Sequence, residues 1–236
     1  MKLVYEDVKL INSCNHNNVM KIYGITVCPL DVTTFAIYIL MEYADDDWDK
    51  EIKKNYQNRI NYKEDELIKI LKQLTSAFRF LQEEKKIAHR DIKPNNILIF
   101  NTRGVKEYKI ADFGEAKKAK TSKQMNTLRG TELYMSPALY QGLKQDKDDV
   151  VYDPYRSDVF SLGYCFLYAG ALNIKIILEV RDVDDMGKLE KILRRYFKNK
   201  YTERFIQLML FMLEFDESKR VDFIGLDNYL NENFKN

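Results

Sequence analysis

The segment Ile87–Phe100, IAHRDIKPNNILIF, sets a histidine, an arginine, an aspartate, a lysine and asparagines between two apolar runs. Flanks that seek burial hold such a polar cluster in a cleft rather than on a solvated face, and clefts are where proteins bind and transform small molecules. Asp91 and Asn96 lie five residues apart, and Pro94 between them keeps the segment out of a regular helix, so both side chains are free to converge on one volume. Twenty-one residues after Asp91 comes Asp112, in YKIADFG, where a short strand is expected to end and Gly114 to let the chain turn. Two carboxylates, an amide and Lys93 are thereby expected at the mouth of a hairpin. Oxygen donors of this kind suit a hard cation such as Mg²⁺, and the lysine beside them suits a phosphate.

Working outward, NILIF and YKIADF, separated by NTRG, read as a hairpin of two short strands. Upstream, Leu67, Leu71, Leu74, Phe78 and Leu81 recur at helical spacing through EDELIKILKQLTSAFRFLQEE, an amphipathic helix that delivers the chain to the cluster. Before it, TFAIYILMEYA (Thr34 to Ala44) is apolar at nearly every position and reads as a strand covered on both faces. The acidic DDDWD that follows reads as a solvated turn at a break between lobes. Val159–Leu172 and Glu203–Phe215 are apolar on most faces and are expected to form the core of the larger lobe. Strand before Asp45 and helix after it make an α+β pattern, read as one domain over 1–236 with a small part (1–44) and a large part (45–236).

The 38 Lys and Arg are interleaved with 36 Asp and Glu for a net charge of +2, which argues against a nucleic-acid partner. Cys14, Cys28 and Cys165 form neither a CxxC pair nor a disulfide ladder, so core positions and a reducing, cytoplasmic setting are expected. The start, MKLVYED, has acids before any long apolar run and is no secretory signal. VFSLGYCFLYAGALNI, from Val159, falls short of the roughly 20 residues a membrane span needs, so no membrane partner is expected.

In this order, HRDIKPNN and DFG resemble the catalytic-loop and metal-binding signatures of eukaryotic protein kinases of the serine/threonine type. The resemblance implies that Asp91 accepts the proton of the substrate hydroxyl, that Lys93 neutralises the transferring phosphoryl group, and that Asn96 and Asp112 hold magnesium. It makes His89 a structural residue packed beneath Phe113. TLRGTELYMSPA (Thr127 to Ala138) resembles the end of the activation segment and puts Thr131 against Asp91 and Lys93. RSDVFSLG resembles the core helix whose aspartate, here Asp158, ties down the catalytic-loop backbone, and DESKR carries Arg220 at a buried arginine position. CNHNNVMKIYGI resembles the turn from the regulatory helix into the next strand. ILMEYA resembles the hinge, with Met41 as gatekeeper, the backbones of Glu42 and Ala44 facing adenine, and Leu98 beneath the ring. Arg90 and Lys117 are implied to grip an anion on the activation segment, with Thr127 at the position of an activating phosphothreonine. The plainer alternative is that Lys117, Lys118, Lys120 and Lys123 form a solvated loop. ATP, Mg²⁺, a protein substrate with a serine or threonine acceptor and an upstream activating kinase follow from the same resemblance.

The sequence also departs from that family. It contains no GxGxxG, and Lys2 stands too close to Glu6 and Asp7 to be the strand lysine that pairs with the regulatory helix. An incomplete small lobe is expected, as in a truncated gene model or a fragment, with impaired ATP binding, because positioning is most of what a kinase contributes to phosphoryl transfer. Ala138 stands where the family has a glutamate, which leaves Arg220 without that partner. Two other readings stay open: a pseudokinase or scaffold that binds protein partners, and a small-molecule phosphotransferase of kinase-like fold, the latter weakened by Arg90, DFG and the activation segment.

Overall fold

The structure is a computed structural model that describes residues 14–32, 34–119 and 124–235; Lys2, Glu6, Asp7, Lys120 and Lys123 lie outside them. The chain first forms an antiparallel pair, β1 (Ile22–Pro29) and β2 (Phe35–Met41), in a register that runs from Ile22 opposite Met41 to Pro29 opposite Phe35. The expectation that this second strand is covered on both faces does not hold. Tyr38 and Leu40 are 60% and 67% exposed, and Ile37 and Ile39 on alternate positions are 41% exposed each. Among the described residues β2 has only β1 beside it, so its apolar side chains have no layer to pack on.

DDDWD is not a solvated turn. Asp46–Asp47 form a short strand, β3, beside β5 (Ile97–Thr102), and the Asp47 carboxylate accepts the Lys50 N–H at 3.0 Å to cap α1 (Trp48–Asn58). The cap satisfies a donor that the first turn leaves open, and Trp48, fully buried, pulls the run inward. The amphipathic helix α2 spans Glu64–Phe80, buries Leu67, Leu71, Leu74 and Phe78, and ends in a wider turn over Leu81–Lys85. Lys86, at φ 58°, reverses the chain into β4 (Ile87–Ala88).

The hairpin forms as its sequence indicates. β5 and β6 (Val105–Ile110) close through Arg103 and Gly104, both at positive φ, the twist-matched turn that two-residue loops favour. β7 (Lys117–Lys118) pairs with β4, and β8 (Gln124–Thr127) pairs with the later β9 (Asp149–Tyr152) across the intervening helix α3 (Pro137–Lys144). The centre of the molecule is α4 (Pro154–Ala171), capped by Asp153, which accepts the N–H groups of Tyr155 at 3.0 Å and Arg156 at 3.3 Å. Almost every residue of α4 is buried, as its unbroken apolar run requires. Around it pack α5 (Lys175–Arg181), α6 (Met186–Phe197), α7 (Glu203–Met212) and α8 (Phe223–Asn233). Gly163 lets the Leu213 side chain against α4, since a Cβ there would lie 2.8 Å from Leu213 Cδ2.

Cys14 and Cys165 are core residues, but Cys28, in the thin small sheet, is only half-buried. No helix among the described residues is long and apolar enough to cross a membrane. Arg220, 1% exposed, has no carboxylate at ion-pair distance among the described residues. Its guanidinium donates instead to the carbonyls of Glu214 at 2.6 Å and Phe215 at 3.1 Å and lies 4.7 Å from the Phe160 ring. Burial pulls its pKa down to about 10. Main-chain oxygens and a ring face take the place of the missing acid, while Ala138 packs with Met135, Leu139 and Tyr152.

Candidate active site

The chain leaves β4 into a loop held from below by α4. Asp158 accepts the His89 N–H at 2.7 Å and the Arg90 N–H at 2.9 Å, and Arg90 takes φ 71°. Burial pushes the Asp158 carboxyl up to about 7, against the opposing pull of these two N–H groups. The buried His89 ring is fixed at both nitrogens: Nδ1 accepts the Asp91 N–H at 3.3 Å, so Nε2 carries the hydrogen donated to the Ala111 carbonyl at 3.0 Å. Phe113 packs on it at 5.1 Å between centroids. This is the structural histidine the resemblance implied.

A single tight turn, Pro94–Asn96, then brings Asn96 back beneath Asp91. Asn96 Nδ2 donates to the Asp91 carbonyl at 2.9 Å and to Asp91 Oδ2 at 3.2 Å. Lys93 Nζ donates to Asp91 Oδ2 at 2.7 Å and to Thr131 Oγ1 at 2.9 Å. From the other side, the Thr131 N–H and hydroxyl donate to Asp91 Oδ1 at 2.8 and 2.7 Å. The approach needs Gly130, at φ 109°, because a Cβ there would meet the Arg90 carbonyl at 2.6 Å. Burial pushes the Asp91 carboxyl up, but the bonds from Lys93 and Thr131 outweigh it and hold the group below its ordinary range. Asp91 is thus an ionised acceptor whose lone pairs are all engaged, with the Asn96 bond the longest and easiest to yield to an incoming hydroxyl.

Asp112 is set by the hairpin. The Ala111 N–H donates to the Asn96 carbonyl at 2.9 Å, which carries the β5–β6 register past the strand and places Asp112 one residue on. The sharp turn falls on Asp112 itself, at φ 56°, and not on Gly114, whose N–H is accepted by Asp112 Oδ1 at 3.2 Å. Among the described residues no three His, Cys, Asp or Glu side chains cluster as an all-protein metal cage. The donors present fit Mg²⁺ differently: this ion takes one or two protein oxygens and completes its shell with water and phosphate. Asn96 spends its amide nitrogen on Asp91, which leaves Oδ1 for other contacts, and the Asp112 carboxylate is exposed.

The residues whose sequence resembles a hinge lie at the end of β2. Met41 ends β2 at 43% exposure, and the Glu42 N–H donates to the Lys21 carbonyl at 3.1 Å. Among the described residues, the Glu42 carbonyl and the backbone N–H and carbonyl of Ala44 find no backbone partner. Leu98 sits opposite Lys109 in the hairpin. Lys109 was not anticipated. Its Nζ donates to Glu42 Oε2 at 2.7 Å and lies 4.5 Å from the Phe100 ring, so it ties the hinge to the hairpin that presents Asp112. The signal was a cation set between the buried Tyr108 and Ile110.

Of the cations assigned to the activation segment, Arg90 reaches it: Nη2 donates to the Thr127 carbonyl at 2.5 Å, while Nε is buried without a partner. Lys117 does not. It is exposed in β7, opposite Ala88, and makes no ion pair among the described residues.

A family model for the protein kinase domain matches residues 1–234. "Probable serine/threonine-protein kinase nek2" of Dictyostelium discoideum is 27% identical over 237 residues, covering 99% of this chain and 53% of that protein. "Probable serine/threonine-protein kinase nek3" of the same organism is 32% identical over 164 residues, covering 69% of this chain and 13% of that protein. The chain therefore spans about half the length of the first relative and much less of the second.

Proposed function

The chain belongs to the protein kinase family, and from that premise we propose that it transfers the γ-phosphoryl group of ATP to a serine or threonine hydroxyl of a protein. The observation that carries this reading is the convergence of Lys93, Asn96 and Thr131 on the Asp91 carboxylate. Asp91 orients the hydroxyl and takes its proton as the new O–P bond forms and the β–γ bridging P–O bond breaks, with ADP as leaving group. Lys93, already within reach of Asp91 and Thr131, offsets charge on the transferring group. Asn96 Oδ1 and the Asp112 carboxylate would hold Mg²⁺, which when bound neutralises charge on the phosphate oxygens. The open backbone groups of Glu42 and Ala44 face adenine, with Met41 behind and Leu98 below.

ATP affinity is expected to be weak, because the sheet above the cleft consists of β1 and β2 alone among the described residues and offers little apolar cover. Cys28 and Cys165 form no disulfide, which accords with an intracellular setting. One observation favours a second reading, a module that binds protein partners: the exposed apolar face of β2. Phosphotransfer from labelled ATP to a general protein substrate separates the two. Asp91→Asn is expected to lower the rate by roughly 10²–10⁴-fold, the scale of a lost general base. Incorporation equal in wild type and variant leaves only the binding module.

A further inference from the structure

The pairing of β8 with β9 is announced by no motif. Its register sets Asn126 opposite Val150 and Thr127 opposite Asp149, and the Leu128 N–H donates to the Asp148 carbonyl at 2.7 Å, one pair further along the same register. That bond fixes the phase. Bonded and non-bonded pairs alternate in an antiparallel ladder, so Asn126 and Val150 are a bonded pair, and Thr127 and Asp149 a non-bonded one. Side chains of a non-bonded pair share a face, with Cβ atoms roughly 4.5–5.5 Å apart. Thr127 and Asp149 are both exposed, as is Asp148.

The strand is anchored from behind. Tyr152 is 1% exposed against Met135 and Leu139, with Val150 and Leu128 packed on the same cluster. Gly142 makes room for them, since a Cβ there would lie 2.4 Å from Val150 Cγ2. From this anchored pair the chain runs directly to Thr131, which holds Asp91.

We propose that Asp149–Tyr152 is a built-in positioning strand that aligns Thr127–Thr131 over Asp91 without added phosphate, and that an acid on Thr127, a phosphate included, opposes this alignment. The catalytic consequence rests on the kinase reading; the structural claim does not. Like charges directly opposite one another destabilise a strand pair, and a phosphate beside carboxylates disrupts by repulsion. Facing Thr127, Asp149 acts against an added acid and Arg90 acts for it, whereas Asp148, opposite Leu128, falls on the other face of the ladder. Arg90 is already engaged by the Thr127 carbonyl and is 9% exposed, whereas Asp149 shares the open face.

Amide exchange on the whole chain, without nucleotide, reads the Asn126 and Leu128 N–H groups. Thr127→Ala is expected to keep their protection, Thr127→Glu to lower it about threefold, and Thr127→Glu with Asp149→Asn to restore it. In phosphotransfer the same order is expected in kcat, with KM for ATP unchanged. Val150→Pro, which removes the N–H donated to Asn126, is expected to abolish protection at both amides. A rise in protection or kcat in Thr127→Glu overturns the proposal, as does a fall in Thr127→Ala or the lack of rescue by Asp149→Asn. If wild type transfers no phosphate, the kinase reading fails while the exchange data still decide the strand.

Discussion

His89 sits one side chain away from the acceptor carboxylate yet does no chemistry, and its protonation state is set by its surroundings. Burial holds its pKa below the ordinary 6.5; Asp91 and Asp112 pull the other way, and Lys93 adds to the depression. The unfolded chain therefore binds a proton that the folded ring refuses. The stabilisation is full above 6.5 and is lost as pH falls through the folded value. Urea unfolding at about pH 7 and about pH 5 is expected to show a steeper acid loss in wild type than in His89→Gln. Parallel losses would place the proton uptake elsewhere. At this scale the sequence was most informative: Asp91, Lys93, Asn96 and Thr131 meet as the HRDIKPNN and RGT spacings imply, because the turn at Pro94 and the left-handed Gly130 leave few other paths. The place of Lys109 between two buried residues was legible, but its partner Glu42 was not, since a contact across 67 residues has no local period.

Elements succeed or fail by what lies beside them. The helix α4 was legible as core because its apolar residues leave no polar face, but its start was placed too late, at Val159 rather than Pro154; the signal was the Asp-Pro pair that caps it. Asp153→Ala is expected to cost about 1 kcal/mol, read as a lower urea midpoint with unchanged slope. Arg220→Ala is expected to cost about 3 kcal/mol or more, since buried carbonyls lose their donor and a cavity opens under Phe160. A loss under about 1 kcal/mol would show that water replaces the guanidinium. The strand β9 could not be read from QDKDDVVY, whose acids mask its few apolar residues; only its partner β8 makes it a strand.

Across the whole molecule the two parts differ in how they are held. The large part has a continuous core from Trp48 to Phe234, whereas β1 and β2 rely mainly on each other. Amides of β1 and β2 are expected to exchange through local opening, much faster than those of α4, which should open only on global unfolding. Equal protection in both would mean that the sheet is covered in solution. The α+β division was readable from the change in periodicity near Asp45. The covering of β2 was not, because an apolar strand looks the same whether or not its neighbours are present.

The bond between Glu42 and Lys109 joins the end of the small sheet to β6, beside the main-chain bonds that Asn18 and Met20 make with Ile110. Its carboxylate and ammonium are 15% and 14% exposed, so separating them means rehydrating two charges in sequence. Sheltered in this way, the clasp answers only weakly to dissolved electrolyte: added salt screens it less than it screens the surface ion pairs, so the small sheet stays tied to the hairpin at ionic strengths that loosen those pairs.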